Sequence, residues 1–219
     1  MSYEDNIHLL LEHGADASYR TTTDIRLGIT VTWSALHCAL QNSLSARTVS
    51  MLLAAGADPN AMIVVNCNAA KPMFQGREDE FRQANLHGGT AIASWIKNEP
   101  KNEGDIRVLV ELLRGGATLD NVVPNYSHAE EYLLEVSRHP PPGLPLALMR
   151  NVRAAGGTWR QYVYGPVHAM LLLRALRASG GAEVGPATSS YVAFALSPDL
   201  EDGVVGKILS YWMPKQPFA

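Results

Sequence analysis

At 219 residues, with 47% hydrophobic and 18% charged side chains, the chain can bury a sizeable core and is neither disordered nor a coiled coil. A net charge of −3, a pI near 6.2 and the absence of any Lys/Arg run exclude an electrostatic grip on nucleic acid or an anionic membrane. Two cysteines, Cys38 and Cys67, are too few for a disulfide framework or zinc site; with no signal-peptide pattern and no apolar run of roughly 18 residues, a cytoplasmic protein is expected.

The first predicted element is a helix closed by Gly14, with Ile7, Leu10 and Leu11 standing seven, four and three residues before it. That spacing paints one helix face, and the glycine supplies a left-handed cap. Next, Asp24 to Trp33 alternates apolar and polar residues, the period of a half-buried strand. A helix pair is predicted over Ser34–Ala55, and its second helix repeats the first pattern with Val49, Leu52 and Leu53 before Gly56. Ala61 to Asn66 is a β-branched run of strand type, Arg77 to Ala84 reads as a short charged helix, and His87-Gly88-Gly89 as a return turn. Further pairs are predicted over Thr90–Gly115, with Leu109, Leu112 and Leu113 before Gly116, and over Ser127–Ala155. A long helix opens at Pro166 and runs to Ser179. A last one starts at Ser197-Pro198-Asp199 and runs to Trp212, with Val204, Val205, Ile208, Leu209 and Trp212 on one side.

Leu10-Leu11-Glu12-His13-Gly14-Ala15-Asp16 and Leu52-Leu53-Ala54-Ala55-Gly56-Ala57-Asp58 resemble the ending of an ankyrin repeat. Ser34-Ala35-Leu36-His37-Cys38-Ala39 resembles its opening, and weaker openings stand at Thr90 to Trp95 and Gly165 to Met170. The resemblance reaches to about residue 180. It implies a mainly all-α fold, an ankyrin-type solenoid of helix pairs forming a single repeat domain over 1–219, with an atypical C-terminal capping region over about 166–219. Two of the fingers joining its repeats are enlarged, over about 17–33 and 61–89. Gly14 to Ala35 is 21 residues and Gly56 to Ala91 is 35, against 13 from Gly116 to Ala129. Loops of such length within a compact domain are usually functional or disordered. These two carry strand patterns, so a small β element is expected where the adjacent fingers pair.

The resemblance also implies that His37 ties neighbouring turns together through hydrogen bonds, a role expected of His168 as well, and that the protein is an interaction module. Its expected contacts are Tyr19, Arg26, Trp33, Phe74, Arg77, Phe81, Trp95 and Tyr126, because aromatic and arginine side chains tend to dominate interfaces. Trp95 stands where the repeat wants a small alanine, so either the helices part locally or the ring covers the inserted strands. The alternative is an enzyme or binder of a small apolar ligand, with a pocket between the two insertions and the Thr90–Lys97 helix. Asp24, Arg26 and His87 would then orient the ligand or move protons in a cyclisation or isomerisation. His128-Ala129-Glu130 has the H-x-E of zinc deaminases without the P-C-x-x-C that should follow, and no cofactor or metal is expected. The apolar side of the N-terminal helix lacks a covering helix, which points to a homodimer through that end or to the Asp24–Trp33 strand folding over it.

Overall fold

Gly14, Gly56, Gly116 and Gly156 each end a helix in the left-handed region, with φ of 82°, 93°, 94° and 109°. At Gly56 the geometry is clearest. Its N–H donates to the Leu53 carbonyl at 3.0 Å and the next N–H, of Ala57, donates to Leu52 at 3.0 Å, closing the helix in a Schellman motif. Leu113 and Leu112 accept the same pair of bonds from Gly116 and Ala117. In the computed structural model these endings belong to α1 (Tyr3–Glu12), α3 (Ala46–Ala54), α5 (Glu103–Arg114) and α7 (Gly143–Ala154). The structure describes residues 3–26, 29–66, 88–98, 103–124, 126–136, 143–180 and 207.

Shorter helices precede three of them: α2 (Ala35–Gln41), α4 (Ala91–Lys97) and α6 (Ala129–Val136). Ser34 caps α2 by accepting from the His37 N–H, and Ser45 caps α3 by accepting from Thr48. Each short helix packs on the long one that follows it, giving the pairs α2–α3, α4–α5 and α6–α7. The pairs also meet side by side: α2 lies against α4 and α4 against α6, while α1, α3, α5 and α7 follow one another in a second row. The residues four and seven before Gly56, Gly116 and Gly156 fill the space between the rows, so Val49, Leu109, Leu112, Met149 and Val152 are fully buried, with Leu36, Ile92 and Leu133 facing them from the short helices.

The enlarged fingers carry a three-stranded antiparallel sheet in the order β1 (Arg20–Arg26), β2 (Ile29–Ser34), β3 (Val64–Asn66). β2 comes from the first finger and β3 from the second, so the fingers do pair, with Val31 opposite Val65. The single strand expected over Asp24–Trp33 is instead two strands of a hairpin, and the register runs from Arg20 opposite Ser34 to Asp24 opposite Thr30. Its alternation passes unbroken through Gly28, which ranks among the poorest strand formers, so periodicity alone did not mark the break. The β1 threonines at 21 to 23, which precede the expected strand, supply the missing partner strand. A second, two-stranded sheet, β4 (Asp120–Val123) with β5 (Tyr126–His128), forms the ordinary third finger.

The chain falls into two units, Met1–Thr158 and Trp159–Ala219. The described part of the second is chiefly one helix, α8 (Trp159–Ala178). Pro166 was expected to open this helix and lies inside it instead. Proline's fixed φ suits a helix; what it removes is the hydrogen bond its N–H would give the Tyr162 carbonyl, four residues back. His168, expected to act like His37, is exposed on α8. The helix expected at Arg77–Ala84 lies outside the described residues, as does the one expected from Ser197 to Trp212 except for Lys207, which is helical. No helix among the described residues is long and apolar enough to cross a membrane.

Candidate functional site

β2 runs directly into α2: Ser34 is both the last residue of the strand and the cap of the helix. The sheet is therefore anchored on the first helix pair rather than free to swing. Two further ties hold it. The Arg20 guanidinium donates to the Met62 carbonyl, linking the first finger to the second, and the Thr22 and Thr32 hydroxyls meet at 2.9 Å across the hairpin. Thr21 to Thr23 are exposed on the edge strand β1, Tyr19 just before it is 66% exposed, and Val64 on the opposite edge strand, β3, is 50% exposed.

His37 sits at the root of this sheet, fully buried. Its Nδ1 accepts the Ser34 hydroxyl at 2.6 Å, while Ser34 Oγ in turn accepts the His37 N–H at 3.4 Å. The opposite ring nitrogen, Nε2, donates to the Gly89 carbonyl at 3.2 Å, the residue before the cap of α4. Both nitrogens are used in a way only the neutral ring allows. Burial pushes the imidazole pKa down to about 4, against the opposing pull of the Gly89 carbonyl. The same carbonyl takes the Ile63 N–H at 2.8 Å, so the second finger closes on the turn that His37 holds. The link then repeats along the chain: Thr90 N–H donates to Val122 and Ala129 N–H to Leu119, each at 2.8 Å. Asn60 makes a second bridge, donating to the Gly116 carbonyl at 2.9 Å and accepting from the Thr118 N–H at 2.8 Å.

The ankyrin repeat family model matches residues 33–63, from the end of β2 through α2 and α3 to the approach to β3. The match identifies these residues as an ankyrin repeat, the one repeat it detects, and so supports an ankyrin-repeat protein. Comparison with curated proteins and with solved structures returns no match.

The residues singled out from sequence fall into three groups. Phe74, Arg77, Phe81 and His87 lie outside the described residues. Asp24 and Arg26 are on β1, registered with Thr30 and Ile29, and the one-residue shift between them breaks the simple alternation that equal spacing assumes. Trp33, Trp95 and Tyr126 are placed fully. Trp33 is half-buried on β2. Trp95 is only 4% exposed, and its indole N–H donates to the Asp105 carbonyl at 2.9 Å. The oversized ring thus reaches the first turn of its own partner helix, α5. Tyr126 is half-buried, its ring 5.0 Å from that of Tyr132, and its hydroxyl pKa is raised chiefly by a hydrogen bond to Glu135. Cys38 is half-buried, and burial pushes its thiol pKa up. Among the described residues no three His, Cys, Asp or Glu side chains are grouped to hold a metal.

One cluster was not legible as a unit. Glu130 is the second residue of α6, where α2 and α4 carry Leu36 and Ile92, and it is buried. Arg153 of α7 clamps it with both arms, Nε to Oε1 at 2.7 Å and a terminal nitrogen to Oε2 at 2.9 Å. The same guanidinium donates to Asp120 at 2.7 Å and to the Leu119 carbonyl at 3.1 Å, and His128 Nδ1 donates to Asp120 at 3.0 Å. Burial opposes ionisation of Glu130, but the arginine's hydrogen bonds outweigh it and hold the carboxyl below its usual range. The H-x-E pair at 128–130 therefore belongs to an ion network bracing the third finger. A charged residue at a repeat's apolar position was its available signal.

Proposed function

We propose that this chain is a protein–protein interaction module whose helix pairs stack as a short ankyrin-type solenoid. Its partner lies across the enlarged fingers and the adjoining short helices α2 and α4. The observation that carries this reading is the β1–β2–β3 sheet, which fuses two successive fingers into one ordered platform rooted at Ser34. An ordered, anchored surface loses little conformational freedom on binding, whereas two separate loops of this length would lose much. Tyr19 and Val64 are its exposed large side chains among the described residues, and Arg26, Phe74, Arg77 and Phe81 are the further contacts we assign to it.

The test compares two baits, the wild-type chain and a Tyr19→Ser/Val64→Thr variant, in quantitative affinity purification from cells. The variant should keep the wild-type circular dichroism and melting temperature while losing the proteins enriched by the wild type. Recovery of the same proteins at the same level by both baits overturns the finger surface as the binding site.

A further inference from the structure

Among the described residues β1 pairs with β2 alone, so it forms one edge of the three-stranded sheet. Successive side chains of a strand point to opposite faces, and Thr21, Thr22 and Thr23 are all exposed. Both faces of the strand are therefore open at its centre. Its outer side presents backbone N–H and C=O groups with no strand among the described residues to take them, which is a template for one more strand. Hydrogen bonding fixes the shape of the complement: an extended chain.

The residues of β1 select which extended chain. Arg20 to Asp24 keep a regular register against β2, from Arg20 opposite Ser34 to Asp24 opposite Thr30, before the irregularity that precedes Arg26. Laid antiparallel on a second copy of itself about Thr22, this segment sets Arg20 opposite Asp24 at both ends, Thr21 opposite Thr23, and Thr22 opposite its own copy. Opposite charges and threonine pairs are each favourable across an antiparallel ladder. Residues that face each other in such a ladder point to the same side of the sheet, so a two-fold pairing must centre on a residue. The neighbouring centres match less well. About Thr23, Arg20 meets Arg26 by count, and about Thr21, Asp24 meets Ser18, which lies before the strand. Arg20 is exposed, and the Met62 carbonyl that accepts from it is neutral, so it forms no ion pair with a carboxylate among the described residues.

We propose that β1 is a self-association edge. Two copies of the chain pair antiparallel through Arg20–Asp24 about a two-fold axis at Thr22, joining their three-stranded sheets edge to edge. The interface is isologous, each copy giving the same residues, and the self-complementary order Arg-Thr-Thr-Thr-Asp sets its register. The proposal goes beyond the partner surface described above: oligomeric state reads the one, and the set of enriched proteins reads the other.

Sedimentation velocity of the full chain across a concentration series measures the association, and the wild type should show a reversible dimer. Asp24→Lys sets cation against cation in both charged pairs, and Arg20→Glu sets carboxylate against carboxylate. Each variant alone should dimerise at least about tenfold more weakly. An equimolar mixture of the two puts opposite charges at both ends again, and should recover a dimer holding one chain of each. Circular dichroism and melting temperature establish that each variant is folded. Because Arg20→Glu also loses the tie to Met62, Asp24→Asn is a second comparison: it removes a charge without reversing it, and should weaken the dimer less than Asp24→Lys. A wild type that is monomeric at every concentration overturns the proposal, as does a dimer that Asp24→Lys leaves equally tight. So does a mixture that associates no better than its folded components, or an equal effect of Asp24→Asn and Asp24→Lys.

Discussion

Replacing His37 with alanine tests the hydrogen-bonded root of the fingers, and acid should reveal it as clearly as the mutation. The imidazole is fully buried and makes two side-chain hydrogen bonds, to the Ser34 hydroxyl and the Gly89 carbonyl. Each is worth about 1 kcal/mol net, and the void left by the ring adds about another 1 kcal/mol. The Gly89 carbonyl is not orphaned, because Ile63 still donates to it, so the expected cost near pH 7.5 is about 3 kcal/mol. Acid acts on the wild type through the same residue. The unfolded chain takes up the proton near pKa 6.5 and the folded chain only near about 4. Between those values the unfolded state holds more protons, so His37's contribution is complete above about pH 6.5 and is lost as pH falls towards 4. At pH 5 that loss is about 2 kcal/mol. The penalty of His37→Ala should therefore shrink from about 3 to about 1 kcal/mol between pH 7.5 and pH 5. Urea denaturation followed by circular dichroism at both pH values measures it, and the other histidines cancel in the difference. A penalty below about 1 kcal/mol at pH 7.5, or one that is the same at both pH values, would refute the reasoning.

Gly89→Ala should cost about 2 kcal/mol, read as a lowered melting temperature, because its Cβ would stand 2.6 Å from the Ala93 Cβ and 2.9 Å from the Val122 carbonyl oxygen. Gly143→Ala, whose Cβ meets nothing within 4 Å, is the control and should stay within about 0.5 kcal/mol of wild type. Arg153→Ala strips the buried Glu130 of its clamp and should cost about 2 kcal/mol. Glu130→Leu/Arg153→Leu should recover most of that loss in the same denaturation assay, since the leucine restores what α2 and α4 carry at that position. Trp95→Phe keeps most of the ring's bulk but loses the bond to Asp105, and should cost about 1 kcal/mol in urea denaturation.

Local rules made much of the helical architecture legible. The spacing of Val49, Leu52 and Leu53 before Gly56 marks a helix face and its cap with no knowledge of neighbours, because a glycine at φ of 93° ends a helix by its own backbone freedom. The β-branched run at Ala61–Asn66 marked a strand, and the alternation from Asp24 marked another. What periodicity missed was the division into two strands ending at Arg26 and starting at Ile29, and the partner strand at Arg20–Arg26, because the exposed threonines 21 to 23 on an edge strand carry no apolar signal. Trp95 was legible as an anomaly, but not its resolution, since the carbonyl that receives its N–H lies ten residues on, in the next helix.

The sequence by itself determined the helix faces closed by Gly14, Gly56 and Gly116, and that the two enlarged fingers carry strands, because each follows from side-chain spacing and backbone freedom within a few residues. Only the tertiary structure decided that His37 reaches Gly89, that Asn60 bridges to Gly116 and Thr118, that Arg153 answers Glu130, and that Leu10 is left open where Leu52 and Leu112 are closed. Those partners stand 23 to 58 residues apart or on different helices. A hydrogen bond, an ion pair or an uncovered leucine at that range depends on how one pair seats on the next, which no local spacing records.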